Sequence, residues 1–392
     1  MVRNLVNRDS VAVAGVVIGV TSLLCGWLTL KPNRLVPGTS LHLWESAGWN
    51  AAAIIIMLWL ICLALSLVVK GKRRAISLGV AANLIVIAAL GLAGTDAGKL
   101  IEGQASFARV SLGAGFWLTL AGAYFVVYAA RQELGASHIW RNVVSWSGVA
   151  VAIAFLATGQ LDNLSILQEF AGYEARFFQE LKQHLLLVST SVAVGGLIGI
   201  PLGIWATRSK RAERPIFFVT NITQTIPSLA LFGLLIAPLS ALSFAFPALR
   251  EFGVRGIGTA PALIALIIYS LLPMARNTFV GLTQLDPALI DAGRGMGMSR
   301  FQLFRRIEVR LAAPLIMEGV RTASVQAVGL ATVAALIGAG GLGWFVFQGI
   351  GQAAPDLILL GAIPVIILAL VVDAVMRTII RLTAPKGLGE KQ

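Results

Sequence analysis

The chain has 392 residues, of which 57% are hydrophobic and only 12% charged, with a formal net charge of +13 and a mean hydropathy of +0.84. A soluble domain carries about 25% charged residues, so a large soluble helical core is excluded, and a backbone in lipid must close its hydrogen bonds within helices or a closed barrel. The apolar runs are roughly 20 residues long and do not alternate, which makes them helices.

Ten spans are predicted, at roughly 11–30, 51–69, 75–94, 110–130, 143–158, 185–206, 215–239, 257–275, 312–338 and 355–376. The first follows Arg3 and Arg8, as a signal peptide would. Its apolar stretch is too long for one, and no small-residue cleavage site precedes the next loop, so a retained helix is expected. Cys25 and Cys62 lie in apolar spans and read as packing residues. With a cytoplasmic N-terminus, the inner segments hold 22 of the 31 lysines and arginines, including Lys70 and Lys72 after the second span and Lys386 and Lys391 after the last. The outer loops hold eight, and Arg321 lies within a span. Such a bias puts both termini in the cytoplasm. It also accounts for the positive charge without nucleic acid.

The two halves differ in texture. The first five spans contain neither proline nor a charged side chain, whereas the later ones carry Pro201, Pro227, Pro273, Pro314 and Pro364. Proline kinks a membrane helix where neighbours or water satisfy the freed carbonyl. The expected organisation is an N-terminal membrane extension of five helices over 1–160, an outer linker over 161–183, a proline-broken core over 184–382 and a cytoplasmic tail over 383–392. The linker reads as a solvated stretch because Glu169, Glu174, Arg176, Glu180 and Lys182 cluster there.

The inner loop between the eighth and ninth spans (284–311) runs into DAGRGMGMSRFQLFRRIEVRLAAP (291–314), with five arginines and three glycines. Asp286-Pro287 supplies an acidic cap and a proline at the first helical position. Gly293, Gly295 and Gly297 are expected to end that helix. Ser299 with Gln302 forms a capping box that starts a second, on which Phe301, Phe304, Ile307 and Leu311 share a stripe. A loop lying on lipid headgroups would account for the arginines, but not for the alternating glycines or the two helix starts. A protruding docking knob accounts for both.

This loop resembles the cytoplasmic coupling loop of bacterial ABC importer permeases, whose pattern is Glu-Ala-Ala, three residues, Gly, nine residues, Ile, one residue, Leu-Pro. Asp291-Ala292-Gly293, Gly297 and Ile307 stand at the matching spacing. Asp for Glu, Gly for the second Ala, and Val309-Arg310 for Leu-Pro are departures. The segments HLLLVSTSVAVGGLIGIPLGI (184–204), NITQTIPSLALFG (221–233), PALIALIIYSLLPMARNT (261–278) and VGLATVAALIGAGGLGWFVFQGI (328–350) resemble permeases for glycine betaine, choline and carnitine. The five-span extension resembles the branch of that group associated with low-affinity osmoprotectant import.

The resemblance implies an all-α integral membrane protein of about ten transmembrane helices, with a five-helix type I ABC importer permease core, in a bacterial inner membrane. It implies that Asp291, Ala292, Gly293, Arg294, Met296, Gly297 and Met298 receive a separate ATPase, present in two copies. A periplasmic solute-binding protein and a second permease, identical or sister, complete the expected assembly, with membrane lipid around it. No cofactor is expected in this chain, because ATP and Mg would be held by the ATPase.

The remaining signals fit a transport subunit that makes no force of its own. AGKL (97–100) lacks the glycine and the Ser/Thr of a Walker A loop. GAGGLG (338–343) follows a membrane helix with no βαβ unit around it, so it reads as a tight turn or gate at the outer end of the ninth span. His42, His138 and His184 show no metal spacing. Glu318 and Arg321, at i and i+3, and Asp373 lie in spans, where a charge costs about 3 kcal/mol, and read either as an inner gate or as a packing pair. Pathway candidates flank the kinks: Gln224, Thr225 and Ser228 around Pro227, with Tyr269 and Asn277 around Pro273. An aromatic face such as that of Tyr269 suits a quaternary ammonium. The other readings carried forward are an importer for an amino acid or another small solute, and a secondary transporter or channel needing no ATPase.

Overall fold

A computed structural model describes residues 2–34, 36–68, 71–135, 138–251 and 253–383. Lys70, Lys386, Lys391 and the expected tail from residue 384 lie outside the described residues. The chain divides into two compact units, Met1–Gly172 and Tyr173–Gln392.

The first unit is built from α1 (Val2–Ser22), β1 (Leu28–Lys31), β2 (Thr39–Leu41), α2 (Leu43–Ser46), α3 (Gly48–Val68), α4 (Lys72–Ile101), β3 (Arg109–Leu112), α5 (Ala114–Leu134), α6 (His138–Ala157) and α7 (Ser165–Gly172). Small residues set its helix packing. A Cβ on Gly15 of α1 would stand 2.7 Å from the carbonyl of Gly122 on α5, and one on Gly19 would enter the ring of Trp59 on α3. Close backbone approach through small residues is how membrane helices gain dispersion contact. The first predicted span is corrected here: the helix stops at Ser22, and Leu28–Lys31 is the middle strand of an antiparallel sheet of order β2-β1-β3. Leu28 pairs with Leu41 on one side and Leu112 on the other. The sheet was illegible because its strands are three or four residues long and lie against apolar helical runs.

The second unit comprises α8 (Glu174–Arg208), α9 (Lys210–Thr225), α10 (Ser228–Ala245), α11 (Ala248–Glu251), α12 (Thr259–Thr283), α13 (Pro287–Gly295), α14 (Arg300–Leu303), α15 (Val309–Val333), α16 (Gly343–Gly351) and α17 (Pro355–Thr383). A π-helical turn over Phe304–Glu308 joins α14 to α15, and a 3-10 turn over Ala334–Ile337 follows α15. Glycines every fourth residue on α8 seat α12: a Cβ on Gly195 would meet Ser270 Oγ at 2.0 Å, and one on Gly203 the Ala275 carbonyl at 2.5 Å. Gly319 of α15 lies as close to Pro273 of α12. Among the described residues, eight helices are long and apolar enough to cross a membrane. The predicted span 215–239 is two helices, because Ile226 and Pro227 are extended between α9 and α10. The helix of the sixth predicted span, α8, begins at Glu174, so the expected linker over 161–183 contains α7 and the first turns of α8.

Candidate functional site

The loop between α12 and α15 forms as its capping residues dictate. The Asp286 carboxylate accepts from the Ala288 N–H at 2.9 Å, and Pro287 opens α13. Ser299 and Gln302 make the reciprocal capping box of α14. The expected three-glycine stop is corrected to one. Gly293 and Gly295 remain helical, and only Gly297 turns left-handed, at φ +76°. The Met298 N–H then reaches the Gly293 carbonyl at 3.2 Å, and the Gly297 N–H reaches that of Arg294 at 2.9 Å. This is a Schellman closure, in which a left-handed residue just past the helix satisfies its last carbonyls. Gly293 instead serves packing: a Cβ there would lie 2.6 Å from Leu303 and 2.8 Å from Ile307.

The loop therefore has a buried underside and a bare tip. Leu303 and Glu308 are buried beneath it, while Asp291, Ala292, Arg294, Gly295 and Gly297 are exposed, Met296 is 69% exposed and Met298 is half-buried. The expected apolar stripe is corrected as well: Phe301 is exposed, Phe304, Ile307 and Leu311 are half-buried, and Leu303 is the buried anchor. The π turn adds a residue to the helix and rotates the faces after it. An ion pair ties buried Glu308 to the exposed Arg208 side chain at the C-terminus of α8, and the Arg208 guanidinium sits 5.6 Å from the Phe304 ring centre. Sequence reasoning missed this pair because a hundred residues separate its members.

The charges in the last two spans come together. The Arg321 guanidinium donates to Glu318 at 2.5 Å and to Asp373 at 2.6 Å, and Arg377 donates to the other Asp373 oxygen at 2.8 Å. Shared hydrogen bonds make burial of such charges in a membrane tolerable.

The pathway candidates separate into groups that brace between helices and groups that bond within their own helix or stand at the break. Pro273 has no N–H for the carbonyl four residues earlier, that of Tyr269. The Gln224 side chain donates to that carbonyl at 2.5 Å, and the Tyr269 hydroxyl donates to the Ile226 carbonyl at 2.5 Å. The break between α9 and α10 and the proline site within α12 thus satisfy one another. Gln326 of α15 donates to Gln224 at 3.2 Å and extends the brace; no sequence signal pointed to it. Tyr269 is buried in the core of the second unit. Asn277 donates to the Pro273 carbonyl of its own helix at 2.8 Å, and Thr225 to its own turn at Ile222. Thr225 is exposed and Ser228 half-buried at the break.

At the other end of α15, Gly338, Gly340 and Gly341 all have positive φ. Glu180 of α8, itself buried, accepts the Gly341 N–H at 2.6 Å, and Gln183 donates to the Ala339 carbonyl at 2.9 Å.

Residues 199–386 match the family described as the binding-protein-dependent transport system inner membrane component, and residues 7–167 match the N-terminal domain of the ABC transporter permease YehY. The carnitine transport permease protein OpuCB of Listeria monocytogenes is 43% identical over 208 residues, covering 53% of this chain and 88% of that protein. This chain belongs to the binding-protein-dependent ABC permeases. The osmoprotectant import permease protein OsmW of Salmonella typhimurium is 38% identical over 228 residues, 58% of this permease and all of OsmW. A solved chain of the MetNI methionine ABC transporter, inward facing, aligns with a TM-score of 0.47 at 21% identity, covering 53% of this permease and 96% of that chain. The permease is thus a multi-pass membrane subunit of an ABC importer and not itself the ATPase.

Proposed function

We propose that this permease is the membrane pathway of an ATP-driven importer for glycine betaine and related quaternary ammonium osmolytes. The observation that carries the substrate class is the identity of 38% to 43% to permeases whose names specify carnitine, choline or osmoprotectant import. The permease sits in a bacterial inner membrane with both termini cytoplasmic, by the positive-inside distribution. Two ATPases hold ATP and Mg and dock on the loop tip, residues Asp291 to Met298. A periplasmic binding protein delivers the solute, and a second copy or a sister permease completes the pathway. Residues 1–160 act as the membrane extension and 184–382 as the core.

Solute passes beside the break at Ile226-Pro227, lined by Thr225 and Ser228. Gln224, Tyr269 and Asn277 hold the backbone of the kinks rather than bind solute. The Glu318, Arg321 and Asp373 network closes the inner end. The deciding experiment reconstitutes the permease with its ATPase and binding protein in liposomes. ATP-dependent uptake of glycine betaine supports the proposal; uptake of an amino acid in its place replaces the substrate, and uptake by the permease alone down an ion gradient replaces the mechanism.

A further inference from the structure

Five aromatic rings gather where α8 begins and α16 passes. Trp344 and Phe345 meet edge to face at 5.0 Å, Tyr173 approaches Trp344 at 5.9 Å and Phe345 at 6.1 Å, and Phe177 lies 5.9 Å from Phe345 and 5.6 Å from Phe178. One face of Trp344 is already occupied by a cation: the Arg176 guanidinium carbon stands 4.5 Å from the ring centre. Arg176 is nevertheless half-exposed and is held from the other side by Glu180, Nε to Oε1 at 2.7 Å. Glu180 in turn accepts the Gly341 N–H with its second oxygen. An aromatic face, a half-exposed arginine on it and a buried carboxylate behind therefore lie in series, ending at the glycine turn.

We propose that this cluster is an entry site for zwitterionic quaternary ammonium solutes, in which Arg176 occupies the cation position until solute arrives. The proposal rests on the osmolyte reading above, which places α16 on the outer side. A trimethylammonium group has no N–H to donate and is held best by the face of a tryptophan. Once Arg176 swings off the ring, its planar fork is matched to a carboxylate. A betaine or carnitine supplies both groups. Choline supplies the ammonium alone and adds uncompensated positive charge beside Arg176. The site thus discriminates for the carboxylate, and Arg176 is the residue that reads it. Because Arg176 and Gly341 share Glu180, solute binding also leaves that carboxylate with the Gly341 N–H as its remaining partner of the two.

The test compares uptake of glycine betaine and of choline by the assembled transporter in liposomes, with one binding protein throughout. Arg176→Gln lowers the glycine betaine to choline ratio about tenfold, the size of a lost charge-assisted hydrogen bond, and Arg176→Lys restores much of it. Trp344→Leu lowers uptake of both solutes, and Trp344→Phe recovers part. Both rates come from the same preparation, so the amount of folded transporter cancels in the ratio and only a change in selectivity moves it. A ratio unchanged in Arg176→Gln, while the unaltered transporter carries both solutes, overturns this proposal alone. An unaltered transporter that carries neither solute overturns the osmolyte reading and this site with it.

Discussion

Two glycine-rich turns bracket α15, and they are opposites. At one end Gly293, Gly295 and Gly297 lead to a tip that is exposed from Arg294 to Gly297. At the other, the turn containing Gly338, Gly340 and Gly341 is held by Glu180 and Gln183 of α8. Both turns end a helix through a left-handed glycine, Gly297 in the first and Gly338 in the second. They differ in what surrounds them. A Cβ on Gly295, Gly297 or Gly338 would meet nothing within 4 Å among the described residues, while one on Gly340 would lie 2.8 Å from Glu180 Oε2 and one on Gly343, at the start of α16, 1.9 Å from the Thr332 carbonyl. Glycine in a membrane chain therefore marks a helix end without saying whether that end is free to dock or already locked.

The largest expected effect is at the free tip. Met296→Glu places a carboxylate where the proposed ATPase contact excludes water, and an unpaired buried charge costs several kcal/mol. Uptake should fall at least about a hundredfold, which corresponds to ~2.7 kcal/mol, and the ATPase should no longer copurify. The thermal midpoint of the purified permease should not move. Met296→Glu is the cleaner probe of docking than a substitution at Gly297, where any side chain also incurs about 1–2 kcal/mol for the left-handed backbone. Normal uptake and normal copurification in Met296→Glu would remove the docking role from this tip.

The locked turn should show the reverse pattern. Gly343→Ala drives a methyl into the Thr332 carbonyl, a rigid backbone atom, so α15 and α16 must separate. Overpacking of this kind costs about 3 kcal/mol. The midpoint should drop by several degrees in detergent, measured by intrinsic tryptophan fluorescence, without selective loss of ATPase binding. Glu180→Gln is milder. It leaves an acceptor for the Gly341 N–H but removes the charge that holds Arg176, with an expected cost of about 1–2 kcal/mol. An unchanged midpoint in both variants would show that the turn is not locked.

The difference between the turns sets the limit of what the sequence disclosed. Helix starts were legible at Asp286-Pro287 and at Ser299 with Gln302, because a cap acts on backbone groups two or three residues away. The positive charge bias and the kink prolines were legible for the same reason, as local or additive properties. What escaped depends on partners distant in the chain. Gly293 reads as a helix breaker until Leu303 and Ile307 lie against it. Glu308 carries no signal of its own in the sequence, and its partner Arg208 lies a hundred residues away. Tyr269 reads only as an aromatic face until its hydroxyl is found on Ile226 and its carbonyl on Gln224. In each case the tertiary contact shows what the sequence position alone does not. The π turn at Phe304–Glu308 escaped for a different reason: inserting one residue shifts the helical phase, so a stripe read at regular spacing lands on the wrong face.

The smallest predicted effect sharpens the comparison most. Gly295 lies in the last turn of α13, in helical backbone, with open space where a side chain would go. Alanine there relieves the entropic cost of ordering a glycine in a helix, so Gly295→Ala should stabilise the loop by about 0.5–1 kcal/mol. The same one-methyl change at Gly343 is expected to destabilise by about three times as much. Opposite signs for an identical substitution at the two ends of α15 follow only if one turn is open and the other filled. Slower amide exchange at Gly297 and Met298 in Gly295→Ala is the sensitive readout, because their N–H groups close the cap on α13. Uptake in this variant then asks a separate question of the tip. If docking requires the loop to bend at Gly295, a stiffer α13 should slow transport with the ATPase still bound; if docking requires only the exposed surface, transport should be unchanged.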